Sequence, residues 1–277
     1  MKTSIFILFV FFGPFGLLCQ IADNPFSPRT KRFEENLIAN KVKKETMFVH
    51  KVKSNGKVRR KGTLRNETIY NIQGKSLRSS TYFPDMTLIN ISEYDENGNF
   101  IKLVSYDGSG KVRTYFINEL DENGKLLRTI YFKPDGTMSS VKEENKKTEG
   151  KFTINYNNKG EVISKTENTY DSLQRLYISR LLSPTDELKY ENKFLMNGNS
   201  QVIELRVIDN IQNKKFIEKY TYDEHGNIIE LIKTDNDGNP ISKFENQYNS
   251  KNLKIESTWF EPIKTKKQVS RYIYEFY

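Results

Sequence analysis

Glycine recurs at even intervals through most of this chain, and each copy lies in a short polar segment between stretches that are typical of β-strands. The steps between these glycines are 18, 24, 12, 14, 12, 24, 38, 28 and 12 residues. A tight turn repeated at such spacing predicts an antiparallel meander. The ten glycines are Gly56, Gly74, Gly98, Gly110, Gly124, Gly136, Gly160, Gly198, Gly226 and Gly238.

Most copies have an aromatic residue four positions before the glycine and an apolar residue two positions after it. This pattern fits a three-residue hairpin loop in which a type I turn is closed by a left-handed glycine. Only glycine and, less easily, asparagine adopt that conformation at low cost. The loop places the two positions opposite each other, and the predicted pairs are Tyr94–Phe100, Tyr106–Val112, Phe132–Met138, Tyr156–Val162 and Tyr222–Ile228.

Less regular turns are expected inside the longer steps. Because side chains alternate between the two faces of a strand, the even steps predict that the aromatic positions share one face throughout. The candidates for these turns are Pro84-Asp85-Met86, Thr148-Glu149-Gly150, Tyr170–Gln174, Ser183–Asp186, Asp209–Gln212, Tyr248–Asn252 and Pro262–Lys264.

Together these features predict an all-β fold, a long antiparallel meander of repeated hairpins. Single strands carry apolar residues on both sides, as Phe100 and Val104 on one side and Ile101 and Leu103 on the other. A flat layer would leave one side in water, and open sheets rarely exceed about ten strands. We therefore expect a strongly curved sheet or a large barrel over residues 48–277, ending in a strand at Val269–Tyr277.

The N-terminal residues differ from the repeat region. Lys2 and the apolar run up to Leu18 are typical of a signal peptide, so residues 1–19 are predicted to direct export. The one cysteine, Cys19, follows Leu18 where a lipoprotein signal carries a small residue, so lipidation is the weaker alternative. Residues 20–47 are predicted to form an exposed leader, partly disordered or with one short helix at Lys31–Asn40.

A possible ligand face follows from the even spacing of the turns. Four residues after the glycine the chain is usually polar, so one face would show two aromatic rows beside a polar stripe. Two interpretations stay open: a groove for an extended glycan or peptide, or a solvated face whose tyrosines cover the backbone near the turns. The residues of this hypothetical face are Tyr94, Lys102, Tyr106, Arg128, Phe132 and Tyr222.

The acidic residues of the repeat are predicted to support turns. Each stands at the first position of a turn, where a short acceptor side chain bonds the turn backbone. Asp235-Asn236-Asp237-Gly238-Asn239 is similar to the start of a calcium loop, but Asn246 replaces the glutamate of its twelfth position. His225 also lies in a turn. We therefore expect no enzyme activity, no metal and no cofactor. The aspartates are Asp95, Asp107, Asp121, Asp171, Asp223 and Asp235.

Two segments, Tyr94-Asp95-Glu96-Asn97-Gly98-Asn99-Phe100 and Tyr222-Asp223-Glu224-His225-Gly226-Asn227-Ile228, resemble the YD repeat of bacterial rearrangement-hot-spot and related cell-surface proteins. The likeness extends loosely over residues 50–260. It implies β-hairpins that spiral into a shell, and we expect a short form of this family without a toxin domain. Glycine-punctuated MORN-type repeats are a second, weaker similarity.

The formal net charge is +9, and the basic residues are dispersed apart from clusters at residues 41–44 and 264–267. Nucleic-acid recognition would need a localised basic stripe with aromatic residues. Contact with an anionic surface polysaccharide or another envelope protein is therefore favoured over nucleic-acid binding, with at most peripheral contact with a membrane. A contribution to solubility alone is favoured over both.

The sequence predicts a secreted or envelope-associated, non-enzymatic binding or scaffold protein in the periplasm, on the outer envelope surface or outside the cell. An outer-membrane β-barrel is the alternative. However, Lys102, Arg128, Lys165 and Lys233 interrupt the alternate apolar positions that a lipid-facing belt needs. A glycan-active enzyme is a weaker third hypothesis, because the acidic repeat positions have turn roles.

Overall fold

The computed structural model describes residues 28–277 apart from 144, 150, 151, 157, 158 and 264, so the predicted signal at residues 1–19 lies outside the described residues. One helix, α1 (Pro28–Ala39), precedes a series of strands. These are β1 (Val42–Lys51), β2 (Thr63–Tyr70), β3 (Ser76–Tyr82), β4 (Leu88–Tyr94), β5 (Phe100–Tyr106), β6 (Val112–Leu120), β7 (Leu126–Phe132), β8 (Met138–Glu143), β9 (Asn145–Glu149), β10 (Phe152–Tyr156), β11 (Val162–Asp171), β12 (Leu176–Leu182), β13 (Leu188–Met196), β14 (Val202–Asp209), β15 (Lys214–Tyr222), β16 (Ile228–Asp235), β17 (Pro240–Tyr248), β18 (Lys254–Glu261) and β19 (Lys266–Phe276).

The strands form one antiparallel sheet. Successive strands pair from β1 to β8 and from β9 to β19, and β1 also pairs with β19, which brings the two ends of the β region together. β8 pairs with β7 and β9 with β10, and residue 144 alone separates β8 from β9. The sheet is therefore curled but not closed in the described residues, which confirms the all-β meander with strong curvature. No helix among the described residues is long and apolar enough to cross a membrane.

The boundary predicted at residue 48 is six residues too late, because β1 begins at Val42. Val42–Met47 has no turn signal before it and is mostly polar, and it is a strand because β2 and β19 pair with its two edges. α1 overlaps the helix predicted at Lys31–Asn40 but begins three residues earlier and ends one residue earlier. It lies over one end of the sheet, where Glu34 forms an ion pair of 2.8 Å with Lys75 and Asn40 Nδ2 donates to the Lys251 carbonyl. We call this end of the sheet the helix end.

The predicted turn geometry is confirmed. All five predicted cross-strand pairs are in register, from Tyr94–Phe100 to Tyr222–Ile228. At Gly98 the φ angle is +83°, the Gly98 amide donates to the Asp95 carbonyl at 3.0 Å, and the Asp95 amide donates to the Asn99 carbonyl at 2.9 Å. These two bonds close the loop in the way that the three-residue hairpin requires.

The turn assigned to Gly198 is wrong by two residues. Ser200, with φ +58°, takes the left-handed position, and the Asn197 amide donates to the Gln201 carbonyl. The pair that follows is Met196–Val202. Glycine is thus a strong but dispensable marker of this turn, since Met86, Asp186 and Asn252 also adopt a positive φ in three-residue loops.

Three of the less regular turns have a longer loop. The strand ends pair as Asp171–Leu176, Asp209–Lys214 and Glu261–Lys266, and each loop ends in a residue with positive φ. No register shift accompanies these loops. The predicted turn at Thr148–Gly150 includes residue 150 and lies partly outside the described residues.

A second irregularity follows each three-residue loop. Tyr94 pairs with Phe100, but the preceding residue Glu93 pairs with Lys102, so Ile101 is an extra residue in β5. The same shift occurs after the turns at Gly74, Gly110, Gly124 and Gly226. Such a bulge moves every later side chain of the strand to the other face.

The prediction of one shared aromatic face is therefore wrong. We call the face that carries Tyr94 and Phe100 face A, and the face that carries Glu93 and Lys102 face B. Leu103 lies on face A because Ile101 is extra, so Tyr106 lies on face B. Ring contacts support this assignment of faces. The ring centroids of Phe100 and Phe116 are 5.6 Å apart on face A, and those of Tyr115 and Phe132 are 4.7 Å apart in a stack on face B. Residue pairs beside helix-end turns thus point to face A, and pairs beside the opposite turns point to face B.

Face A carries the main hydrophobic core. Phe194, which is 2% exposed, packs with neighbours from β12 to β16, and α1 adds Leu37 against Val42, Tyr70 and Leu253 at the helix end. Elsewhere on this face the middle of the strands is lined by small hydroxyl and amide side chains that bond one another, for example Thr129 to Asn118 at 2.9 Å. The other members of the main cluster are Tyr177, Met196, Leu205, Val207, Tyr220, Ile228 and Leu231.

Candidate functional site

The six residues of the hypothetical ligand face do not share a surface. The bulges place Tyr94 and Tyr222 on face A, whereas Lys102, Tyr106, Arg128 and Phe132 lie on face B. The polar stripe is divided in the same way, because Lys102 lies on face B and its counterpart Thr114 on face A. The structure therefore does not bring these six residues together into one groove.

Several of the six already have structural partners. Arg128 forms a two-pronged ion pair with Glu119 at 2.7 and 3.1 Å, and Lys102 lies 3.4 Å from Glu93. Both pairs cross between neighbouring strands on face B. Side chains held in this way strengthen the contact between strands and offer less to a ligand.

The tyrosine hydroxyls have a role that the sequence pattern did not reveal. Tyr222 donates to the Val202 carbonyl at 2.7 Å, and Tyr248 donates to the Ile228 carbonyl at 3.0 Å. Tyr274 donates to the Lys254 carbonyl at 2.8 Å. Each acceptor lies just before a bulge. A side chain from the next strand thus supplies the donor to a carbonyl beside the interrupted ladder.

The aspartates of the repeat bond their turns as predicted. Asp95 Oδ1 accepts the amides of Asn97 and Asn99 at 3.0 and 2.8 Å, and Oδ2 accepts Asn99 Nδ2 at 2.8 Å. These bonds hold the pKa of Asp95 below its usual value, and the bond from the Asn99 side chain contributes most. The carboxylates are thus committed to the backbone. Equivalent bonds occur at Asp107, Asp121, Asp171, Asp223 and Asp235.

The segment similar to a calcium loop shows the same arrangement. Asp235 Oδ1 accepts the amides of Asp237 and Asn239, and its Oδ2 accepts Asn239 Nδ2 at 2.8 Å. The side chain of Asp235 is therefore turned into its own loop. Within the described ranges, three or more His, Cys, Asp or Glu side chains do not come together as a metal site would require.

A buried charged group lies on face A. Glu218 is 4% exposed, and its carboxylate accepts the Tyr220 hydroxyl at 2.7 Å and lies 3.3 Å from Lys233 Nζ. The ammonium of Lys233 also sits 3.2 Å from the centroid of the Phe216 ring. Burial lowers the pKa of Lys233, which its pairing with Glu218 opposes. The members of this group bond one another, so we assign it a structural role.

The two histidines differ in their surroundings. His225 stands exposed in the Gly226 turn, as predicted. His50 is 6% exposed on face B, and its Nδ1 lies 2.9 Å from the Arg59 carbonyl. The loop between β1 and β2 folds over this ring, and a Cβ at Gly62 would lie only 2.7 Å from it. His50 therefore fixes this loop against the sheet.

A concavity lies on face B, where β17, β18 and β19 lie side by side. It has a volume of about 290 Å³ and is lined by Lys243, Glu245, Thr258, Phe260 and Lys267. Phe260 pairs with Lys243 on one side and with Lys267 on the other. Glu245 and Thr258 form the next row towards the helix end. We call this the Phe260 pocket.

The two lysines of the Phe260 pocket differ in their partners. Lys243 Nζ lies 2.6 Å from Glu230 and 2.9 Å from Glu245, and these hydrogen bonds raise its pKa above the ordinary value. Lys267 is exposed and has no ion-pair partner in the described part of the chain. Phe260, which is 37% exposed, thus lies between two different ammonium groups. That of Lys243 is paired with carboxylates, and that of Lys267 is open to a ligand.

Sequence reasoning missed this pocket for two reasons. Its residues come from three strands, and the registers of those strands depend on the turns at Asn252 and Thr265, which contain no glycine. The nearest signal was the basic cluster at residues 264–267, of which residue 264 is outside the described residues and Lys266 approaches the Trp259 ring instead. The register shift at Gln247/Tyr248 also decides which side chains share face B.

One family model, described as "Protein of unknown function (DUF2963)", matches residues 110–156, a range that contains the strands from β6 to β10. Nothing among the curated proteins matches the chain. The resemblance of Tyr94–Phe100 to the YD repeat stays a prediction.

Solved structures give low-scoring similarities. A porin-like protein from Bacteroides uniformis is 9% identical with a TM-score of 0.39, over 85% of this chain and 97% of that one. A porin-like protein from Bacteroides vulgatus is 10% identical with a TM-score of 0.33, over 84% and 98%. The Tc holotoxin pore of Photorhabdus luminescens is 12% identical with a TM-score of 0.34, over 81% of this chain and 14% of that one.

Proposed function

We propose that this chain is an exported, non-enzymatic binding or scaffold protein of the cell envelope or its surroundings, and that it contacts a glycan at the Phe260 pocket. The observation that carries the glycan assignment is the composition of that pocket. It combines an exposed aromatic ring with a hydroxyl, a carboxylate and ammonium groups on three strands of a continuous sheet. Rigid elements position such a site better than mobile loops do.

This composition suits sugars. The C–H surface of a pyranose packs on an aromatic ring, while Thr258, Glu245 and Lys267 can bond the hydroxyl groups around it. Ligand sites are usually concave and largely apolar, with a few polar groups that fix orientation. At about 290 Å³ the pocket suits one ring of a longer polymer, and its open position on the face allows the polymer to continue beyond it.

Glycan-array binding tests this proposal. The purified chain from residue 20 onwards should retain bound glycans, and Phe260→Ala should abolish that binding. Phe132→Ala is the matched control, because Phe132 is a half-buried ring on the same face at a different site. Loss of binding in Phe132→Ala but not in Phe260→Ala would move the site to the residues named from sequence alone. Absence of binding in the wild type would overturn the proposal.

The location is a separate part of the proposal and rests on the pattern of residues 1–19. Cell fractionation followed by a carbonate wash of the membranes should release the protein, and N-terminal sequencing should begin after Cys19 or Ala22. Retention in the washed membrane pellet would favour the outer-membrane alternative.

A further inference from the structure

We infer that the Phe260 pocket selects an acidic sugar, a uronic acid residue within a polysaccharide, with Lys267 as the residue that recognises its carboxylate. This inference rests on the proposed glycan function and names its substrate class. It is carried by the difference between the two lysines on either side of Phe260.

Lys243 is not available to a charged ligand. Its ammonium group contacts the carboxylates of Glu230 and Glu245, and two negative charges surround one positive charge. A ligand carboxylate placed beside Lys243 would lie close to the Glu245 carboxylate and would be repelled by it. The Lys243 side of the pocket therefore favours sugar hydroxyl groups, which bond carboxylates without a charge conflict.

Lys267 offers the opposite environment. It lies across from Phe260 on β19, where paired side chains are about 4.5–5.5 Å apart at their Cβ atoms. Its ammonium group has no carboxylate partner within the ranges that the structure describes. A pyranose stacked on Phe260 with its carboxylate towards Lys267 and its hydroxyls towards Thr258 and Glu245 would match the charge on each side.

The chain as a whole agrees with this polarity. A formal net charge of +9 attracts polyanions before contact is made, in an ionic-strength-dependent way. Because this attraction is spread over the molecule, it alone would not distinguish Lys267 from other exposed lysines. The test must therefore separate the local charge from the global one.

Titration calorimetry with trigalacturonate and with its methyl ester tests the inference, because the two probes differ in the carboxylate charge and share the sugar rings. We expect the wild type to bind the acid about 3-fold to 10-fold more tightly than the ester at low salt, and the preference to shrink in about 0.5 M NaCl. Lys267→Met should remove most of the preference, because it should weaken binding of the acid more than binding of the ester. Lys267→Arg should retain it.

Lys111→Met is the control for global charge, because Lys111 is exposed in the Gly110 turn at a distance from the pocket in the fold. It should keep the preference. Equal loss in Lys111→Met and Lys267→Met would overturn the role of Lys267. Binding of acid and ester with equal affinity, both abolished by Phe260→Ala, would overturn the acidic-sugar inference and leave the glycan site standing. If neither probe binds while neutral glycans do on the array, the inference fails in the same way; if no glycan binds at all, the proposed function fails as well.

Discussion

The hairpins at the helix end and those at the opposite end use the same local sequence for different purposes. At the helix end, Tyr222 and Ile228 pair on face A and join the main core. At the opposite end, Phe132 and Met138 pair on face B, where Met138 is 62% exposed. The extra residue after each turn causes the difference, because it exchanges the two faces between one end of a strand and the other.

The comparison shows that a repeat position does not define an environment on its own. An aromatic residue four positions before the turn glycine points to face A at the helix end and to face B at the opposite end. The candidate binding surface around Phe260 lies on face B, whereas exposed aromatic residues occur on both faces, as Tyr170 does on face A.

The largest expected effect comes from removing core volume on face A. Phe194→Ala should lower the free energy of unfolding by about 3–5 kcal/mol, because the ring is 2% exposed and its removal leaves a cavity. Phe132→Ala should cost about 1–2 kcal/mol, since Phe132 is half-buried and loses mainly its stack on Tyr115. Urea denaturation followed by fluorescence measures both. Equal costs would contradict the assignment of the two faces.

A smaller effect is expected from the tyrosine hydroxyls. Tyr222→Phe should cost about 1 kcal/mol, because the Val202 carbonyl loses the hydroxyl that donates to it. Tyr248→Phe should cost about half as much. The Ile228 carbonyl keeps a second donor, Asn246 Nδ2, at 2.8 Å. Urea titrations of the two variants give the difference, and a greater cost at Tyr248 would contradict this role of the hydroxyls.

The turn in which Ser200 takes the left-handed position offers a stabilising change. Ser200→Gly should raise the free energy of unfolding by about 0.5 kcal/mol, because relief of the left-handed conformation outweighs the greater freedom of glycine in the unfolded chain. Gly98→Ser, the reverse change in another turn, should lower the free energy of unfolding by about 1 kcal/mol. Thermal denaturation checks both. Destabilisation by Ser200→Gly would show that the Ser200 side chain contributes more than its backbone conformation costs.

The smallest effect concerns pH. The pKa values of Asp95, Asp107 and Asp235 are lowered in the fold, chiefly by bonds from the side chains of Asn99, Ser109 and Asn239. Carboxylates with a depressed folded pKa stabilise the protein above the unfolded pKa of about 3.9, and that contribution is lost as the pH falls through the folded pKa.

Replacement of these three aspartates by asparagine should therefore flatten the decline of the melting temperature between about pH 5 and pH 2. Asparagine keeps the oxygen acceptor, as the native Asn249 does when it accepts the Leu253 amide at 3.0 Å. The melting temperature near pH 7 should change little. An unchanged acid slope in the triple variant would show that these carboxylates do not couple to folding.

The turns and their nearest residue pairs could be predicted because they are local. Gly98 and Asp95 signal one loop, and the loop fixes Tyr94 opposite Phe100. The bulge could not be predicted, because its extra residue looks like any other strand residue, as Ile101 and Leu127 do. The candidate site could not be predicted for the same reason, because it depends on strand register. Phe260 and Lys267 become neighbours only when the register of the last three strands is known.

The most direct test of the account is a disulfide test of the register between β6 and β7, in the chain from residue 20 onwards, which has no cysteine of its own. The bulge places Phe116 opposite Tyr131 on face A, with ring centroids 5.6 Å apart, and places Ile130 on face B. Paired cysteines at 116 and 131 should therefore cross-link under mild oxidation, whereas cysteines at 116 and 130 should not. Cross-linking of 116 with 130 but not with 131 would show that the bulge is absent. It would thereby contradict the division of the repeat between two faces.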